Sequence, residues 1–165
     1  MTTRMLLLAD THVPKRARRL PDEVLTAIDE ADIVIHAGDW VDAATLDLFE
    51  SRSRAFHGVF GNNDGPELRA RLPEIARLSV EDVEIAVIHE TGAATRREDR
   101  MDAAFPGVDL LVFGHSHIPW DTVSPAGMRL LNPGSPTDRR RQPVCTMMWA
   151  TIDGADIEAT LVHVR

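Results

Sequence analysis

Five short polar clusters punctuate the chain in a fixed order: Asp10-Thr11-His12, Gly38-Asp39, Gly61-Asn62-Asn63-Asp64, His89 and Gly114-His115-Ser116-His117. Aspartate, histidine and asparagine offer carboxylate, imidazole and amide-carbonyl ligands, a set that suits divalent metals. A pair of such ions acidifies a shared water and clamps the oxygens of a group under attack. Each cluster has a plainer reading when taken alone. Asp10-x-His12 serves equally as a turn capped by aspartate, and Gly38-Asp39 and Gly61-Asn62-Asn63-Asp64-Gly65 are rich in turn formers. A lone His89 is more often structural than a ligand. Two histidines one residue apart, at His115 and His117, form the strongest cluster. Five clusters together argue for a site. Seven candidate ligands exceed what one tetrahedral ion uses, which points to two metals.

Short apolar runs precede four of the five clusters and must position them. Met5–Ala9, Ile33–Ile35, Ala55–Phe60 and Leu110–Phe113 read as strands, the continuous runs as strands buried on both faces. Ile75–Val80 and Val83–Ile88 read as a hairpin around Glu81-Asp82. Pro21-Asp22-Glu23 opens a helix, with proline in the first turn and carboxylates at the positive dipole end. Its buried stripe is Val24, Leu25 and Ile28. A second helix covers roughly residues 42–51, with Leu46 and Phe49 inward. Residues 66–74 suggest a short helix and loop. Thr95-Arg96-Arg97-Glu98 has the form of a capping box, so a helix is expected from there to about Phe105. Beyond Asp121 the signals are strands, with turns at Pro125-Ala126-Gly127 and Asp153-Gly154. This order predicts a mixed α/β domain, two packed sheets with helices outside.

The chain of 165 residues fits one domain. A formal net charge of −8 disfavours binding of long nucleic acid. The single cysteine, Cys145, excludes an internal disulfide and a cysteine zinc site. The Met5–Ala9 run is too short for a signal peptide or a membrane span, so a cytoplasmic protein without membrane contact is expected. Trp40, Trp120 and Trp149 read as packing residues, although Trp40 and Trp120 flank clusters where a pocket rim would lie. His36 reads as a packed core histidine and His163 as a surface one.

The series D-x-H, G-D, G-N-x-D, H, G-H-x-H resembles the calcineurin-like metallophosphoesterases. Chain size and Asn132-Pro133-Gly134-Ser135 make it similar to their small bacterial YfcE-type phosphodiesterase branch. The resemblance runs from Asp10 to Ser135 and implies a four-layer αββα sandwich across residues 1–165, with a dinuclear site at the strand ends. It implies that Asp10, His12, Asp39 and His117 hold one metal, and that Asn62, His89 and His115 complete a second, bridged by Asp39. Asp39, Asn62 and His117 thereby also carry catalysis, with Asp64 and Asn63 orienting the ligands from behind. Two divalent ions are implied, manganese foremost, with iron, zinc, nickel or magnesium as substitutes. The implied reaction is hydrolysis of a small phosphodiester by a hydroxide bridging the metals. A phosphomonoesterase is an alternative. So is a non-catalytic scaffold, since the same fold serves as the scaffold subunit of eukaryotic retromer. A homo-oligomer is left open.

Two departures stand out. Larger relatives carry G-N-H-E, where histidine can protonate the leaving group; this chain has Asn63 there. The small branch often has a histidine and glycine pair near His89, and this chain reads His89-Glu90-Thr91-Gly92. Lys15-Arg16-x-Arg18-Arg19 and Arg139-Arg140-Arg141 follow site-adjacent segments. Either is a solvated face or an arginine fork for phosphate, the latter assignment falling on Arg139, Arg140 and Arg141.

Overall fold

A computed structural model describes Met1–Arg165. Two five-stranded mixed sheets face each other. The first has the order β10-β9-β1-β2-β3 and the second β4-β5-β6-β8-β7. The strands of the first are β1 (Thr2–Leu8), β2 (Ile33–His36), β3 (Phe56–Gly58), β9 (Cys145–Asp153) and β10 (Asp156–Val164). Those of the second are β4 (Ile75–Val80), β5 (Val83–Ile88), β6 (Leu110–Val112), β7 (Trp120–Val123) and β8 (Arg129–Asn132). Helices α1 (Asp22–Glu30), α2 (Ala43–Arg52), α3 (Pro66–Arg71) and α4 (Arg97–Ala104) complete the chain. None is long and apolar enough to cross a membrane.

Period-2 alternation sorts the strand side chains into layers. Met5, Leu7 and Ala9 point into the core between the sheets, where they meet Val83, Ile85, Val112 and Met148. Leu6 and Leu8 point the other way, onto Val24 and Ile28 of α1 and Leu46 and Phe49 of α2. On the far face, Ala86, Leu111 and Leu130 of the second sheet pack on Met101 of α4 and on Phe105. The layers are therefore helix, sheet, sheet, helix, as the resemblance implies. Continuous apolar runs were needed at β1 and β6 because both faces of these central strands are covered.

The strand directions place the clusters. β1, β2 and β3 are parallel, as are β5, β6 and β8; the flanking strands run antiparallel. All five clusters, and Asn132-Pro133-Gly134-Ser135, lie at the C-terminal ends of these six strands. Ligand sites in open parallel sheets form at that end.

Some local expectations change. β1 begins at Thr2, and β3 shrinks to Phe56–Gly58. Leu25 is only partly buried, and Ala27 takes its place in the α1 stripe. The capping box does not form. Arg96, in the left-handed region at φ 53°, enters α4 without a side-chain cap, and the helix starts at Arg97. The preceding loop is tied instead by Arg100, which donates to the carbonyls of Thr91, Ala93 and Thr95. Arg97 is buried between Phe113 and Trp120, with Nε donating to Thr91 Oγ1 at 2.7 Å. Trp40 does not rim a pocket. It is fully buried, stacked 3.6 Å from His36.

Candidate metal centre

The loop after β1 carries Asp10 and His12 inward. The Asp10 N–H bonds the Gly38 carbonyl and the His12 N–H bonds the Asp39 carbonyl, which locks the first two clusters together. Beneath them His36 acts as a brace. Its Nδ1 accepts the Gly38 N–H at 3.1 Å, so Nε2 carries the proton and donates to Thr11 Oγ1, also at 3.1 Å. Asp64 ties the second and third clusters. One oxygen accepts the N–H groups of Asp39 and Gly61, the other those of Trp40 and Val41. Gly61 is required by space: a Cβ there would lie 2.1 Å from Asp39 Oδ1.

These loops bring all seven expected ligands to one place. Asp10, His12 and His117 form one group whose ligand atoms lie within 4.8 Å of one another; Asp39, His89 and His115 form another. In the second group Asn62 Oδ1 is 2.9 Å from His89 Nε2 and 3.1 Å from His115 Nδ1, and the two ring nitrogens are 3.3 Å apart. Ligand atoms at right angles around an ion with bonds of about 2.1 Å sit about 3 Å apart. Asp39 Oδ2 lies between the groups, 3.5 Å from His12 Nε2 and 3.4 Å from His89 Nε2.

Three buried atoms test whether the residues suit a cation. Asp10 Oδ1, His12 Nε2 and His117 Nε2 are buried without a hydrogen-bond partner. Such orphaned atoms are costly, and here all three belong to one group. The histidine tautomers agree with a cation. His89 Nδ1 donates to the Ala37 carbonyl at 2.7 Å and His117 Nδ1 to the Asp138 carbonyl at 2.6 Å. With Nδ1 so engaged, both rings turn Nε2 to the centre, the nitrogen that a cation would take in place of a proton. The backbone is strained in the same places. Asp10, His12, Asp39, His115 and His117 have φ of 56°, 46°, 65°, 76° and 62°. Left-handed conformations in non-glycine residues cost of order 1–3 kcal/mol each and cluster at functional sites.

Burial raises the Asp10 carboxyl to about 8, reinforced by the nearby Asp39 charge and opposed by His89. Burial also pushes Asp39 upward, but hydrogen bonds from His89 and Asn63 and the His89 charge override it and hold Asp39 well below the usual range. His89 rises for the reciprocal reason: burial lowers it, and the two aspartates more than compensate. Burial lowers His12, and it brings His117 to about 4. Without cations, two carboxylates thus share the proton load unequally, as closely placed acids do.

Several supporting residues escaped sequence reasoning. Ser135 Oγ donates to the Asp10 carbonyl, and Thr137 Oγ1 to that of Thr11. Asn132 Nδ2 reaches the Gly114 carbonyl at 3.2 Å. Asn132-Pro133-Gly134-Ser135 thus braces the first and last clusters, a role its turn-forming composition could not reveal. Asn63, already expected to orient ligands, holds Asp39 twice, its N–H on Oδ1 and its amide on Oδ2. Glu90, noted only as a departure, lies 3.2 Å from His115 Nε2. Of the arginines, Arg140 acts electrostatically on Asp10, His12 and His117, whereas Arg16 pairs with Asp138 at 3.7 Å.

Two nitrogen-and-oxygen groups at the parallel ends of a two-sheet sandwich define a metal-binding α/β protein. The calcineurin-like phosphoesterase superfamily domain matches residues 3–155, and the chain belongs to that superfamily. A probable metallophosphoesterase of Methanocaldococcus jannaschii is 33% identical over 96% of this chain and 80% of its own length. A Thermotoga maritima protein solved by NMR superposes with a TM-score of 0.78 at 39% identity, covering 98% of this chain and 99% of that one. Zinc-complexed Vps29 from Entamoeba histolytica shares the fold at 21% identity, with a TM-score of 0.77 over 97% of this chain and 98% of that one.

Proposed function

We propose that this chain, read as one phosphoesterase domain over residues 1–165, is a phosphodiesterase of small substrates that works with two divalent ions. The single observation that carries the reading is the orphaned trio of Asp10 Oδ1, His12 Nε2 and His117 Nε2, with Asp39 Oδ2 set toward both ligand groups. Asp10, His12, His117 and Asp39 would hold one ion, and Asp39, Asn62, His89 and His115 the other. The thiol-free set suits manganese and also accommodates iron, zinc, nickel or magnesium. When bound, the ions supply positive charge to the phosphoryl oxygens and acidify a water for in-line attack.

The chain's own residues arrange the rest. Asp39 is anionic and fixed at both oxygens by Asn63, so its orientation does not depend on the ions. Carbonyl partners fix the His89 and His117 rings before anything binds, which reduces the reorganisation needed for reaction. The amide of Asn63 is engaged by Asp39, and an amide does not serve as a proton donor to a leaving alkoxide. This favours substrates with acidic leaving groups.

Manganese saturation, desalting and elemental analysis should give two ions per chain, with turnover of bis(4-nitrophenyl) phosphate. At most one ion would sink the dinuclear reading. Two ions with turnover of 4-nitrophenyl phosphate alone would favour a monoesterase. Two ions with neither activity would favour a metal-binding scaffold, the reading that the Vps29 likeness keeps in view.

A further inference from the structure

One cavity opens on the centre and a second lies beside its His117 end, next to Ser116, and their charges differ. One, of about 330 Å³, opens on Asn62 and His89. Its apolar walls are Phe60, Ile75, Ile88 and Phe105, with Glu74 and Glu90 also lining it. Its one cation, Arg69, is spent on the loop: it donates to the carbonyls of Asp64 and Gly61 and covers the Phe60 ring at 4.5 Å. The other cavity, of about 340 Å³, is lined by Ser116, Ile118, Arg139, Arg140, Arg141 and Gln142, with no carboxylate. It adjoins the His117 end, where the Asp138 carbonyl accepts the His117 Nδ1 proton and Arg139 follows directly in the chain. Formal charge is thus +3 in this cavity (three arginines) and −1 in the first (Arg69 against Glu74 and Glu90).

A phosphodiester carries two arms on one phosphorus, and a centre flanked by unlike cavities sorts them. We infer that the substrate is an unsymmetrical phosphodiester, with one arm bearing a further anionic group and the other neutral and apolar. The inference rests on the phosphodiesterase reading and names its substrate class. The anionic arm, ending in a carboxylate or phosphate, enters the arginine cavity, where the planar forks of Arg140 and Arg141 match either group while Arg139 Nη1 holds the Gln142 carbonyl at 2.7 Å. The neutral arm enters the cavity between Phe60, Ile75 and Phe105, whose glutamates repel an anion. In a protein of net charge −8, extra negative charge on a substrate weakens encounter unless a local site receives it. A preference for the anionic arm is therefore diagnostic.

The test compares ethyl 4-nitrophenyl phosphate with 2-carboxyethyl 4-nitrophenyl phosphate on manganese-loaded protein. The leaving group is the same, and one carboxylate is added to the other arm. The carboxylate should raise kcat/KM about tenfold, the size expected of one charge-assisted hydrogen bond. In the Arg139→Gln, Arg140→Gln, Arg141→Gln triple variant the ratio should fall to about one. Removing two charges from the neighbouring run, Arg18→Gln with Arg19→Gln, should preserve the ratio. A ratio at or below one in the parent, or a ratio that survives the triple variant, overturns the inference. Calorimetric binding of the two methylene phosphonate analogues gives the same ratio without turnover. A chain that hydrolyses neither diester but binds the carboxylated analogue tenfold more tightly contradicts the phosphodiesterase reading and keeps the arginine cavity. Thermal melting and metal content verify that each variant is folded and loaded.

Discussion

Asn63 grips Asp39 from two directions, its N–H 2.9 Å from Oδ1 and its side-chain amide 2.8 Å from Oδ2. The family resemblance presents Asn63 both as a lost proton donor and as a residue that orients ligands. The two bonds to Asp39 are of the second kind, so replacing Asn63 changes two things. General-acid help is worth about 10²–10⁴-fold when the leaving group needs a proton. The parent should show a steep dependence of kcat/KM on leaving-group pKa across aryl and alkyl diesters. Asn63→His should flatten it by improving the poorest leaving groups. Asn63→Ala should leave the slope steep while weakening metal retention, because Asp39 loses a partner. A flat dependence in the parent would mean that another group already supplies the proton.

Asp39 faces both ligand groups and Asn62 only one. Asp39→Ala should therefore reduce bound manganese from two ions to fewer than one, and Asn62→Ala to about one. The two groups also differ in exposure: Asp10, His12 and His117 are buried, whereas Asn62 is exposed and His115 partly so. Stepwise dialysis of the parent against a chelator should remove the ion at Asn62 first. Equal metal content in the two variants would refute the bridging assignment.

Glu90 stands behind the candidate ligand imidazole of His115, its carboxylate 3.2 Å from Nε2 while Nδ1 faces Asn62 and His89. Removing such partners costs about 10–100-fold in metal affinity. Glu90→Ala should weaken the second manganese by that factor and leave the first within twofold, as read by competitive titration against a fluorescent chelator. Loss at both ions would show that Glu90 acts on the fold instead.

Stability of the metal-free chain should fall between about pH 7.5 and 8.5. Folded Asp10 keeps its proton up to about 8, whereas the unfolded side chain releases it near 3.8. The folded state therefore holds the extra proton, and raising the pH favours unfolding. His89, raised above 6.5, acts in the same direction. His12, His36, His57 and His117, all lowered, oppose this while the unfolded chain holds the extra protons, which it releases around 6.5. By about pH 7.5, roughly one unit above that value, the opposition is spent. The metal-free Tm should decline from about pH 7.5 to 8.5, and Asp10→Asn should decline less. Loading with manganese should abolish the decline, since metal binding expels those protons. A metal-free Tm that rises across this window would contradict the Asp10 assignment.

Much of this was legible in the residues. Strands with both faces covered announce themselves as apolar runs, and β4 and β5 appear at the expected residues because alternation and Glu81-Asp82 mark both ends. The candidate ligands stood out because Asp, His and Asn after a strand are expensive to place by chance. What stayed hidden depends on contacts distant in sequence. Asp10 and Ser135 are joined across 125 residues, and no local pattern encodes that bond. The failed capping box has a local cause: the helix is entered through Arg96 in the left-handed region, which puts Thr95 outside the cap position. Left-handed backbone at five candidate ligands has no sequence signal either, because histidine and aspartate are not the glycines that would betray it.

Neither ligand group belongs to one sheet. Asp10 and His12 follow β1 while His117 follows β6; Asp39 and Asn62 follow β2 and β3 while His89 and His115 follow β5 and β6. Interdigitated core side chains and the Ser135 and Thr137 bonds already register the two sheets. An ion at either group would add a rivet to that seam, tightening it at the open end. Metal loading would then be felt well away from any candidate ligand, as slower amide hydrogen exchange along Leu110–Val112 and Ile33–His36, and chelation would loosen the seam again.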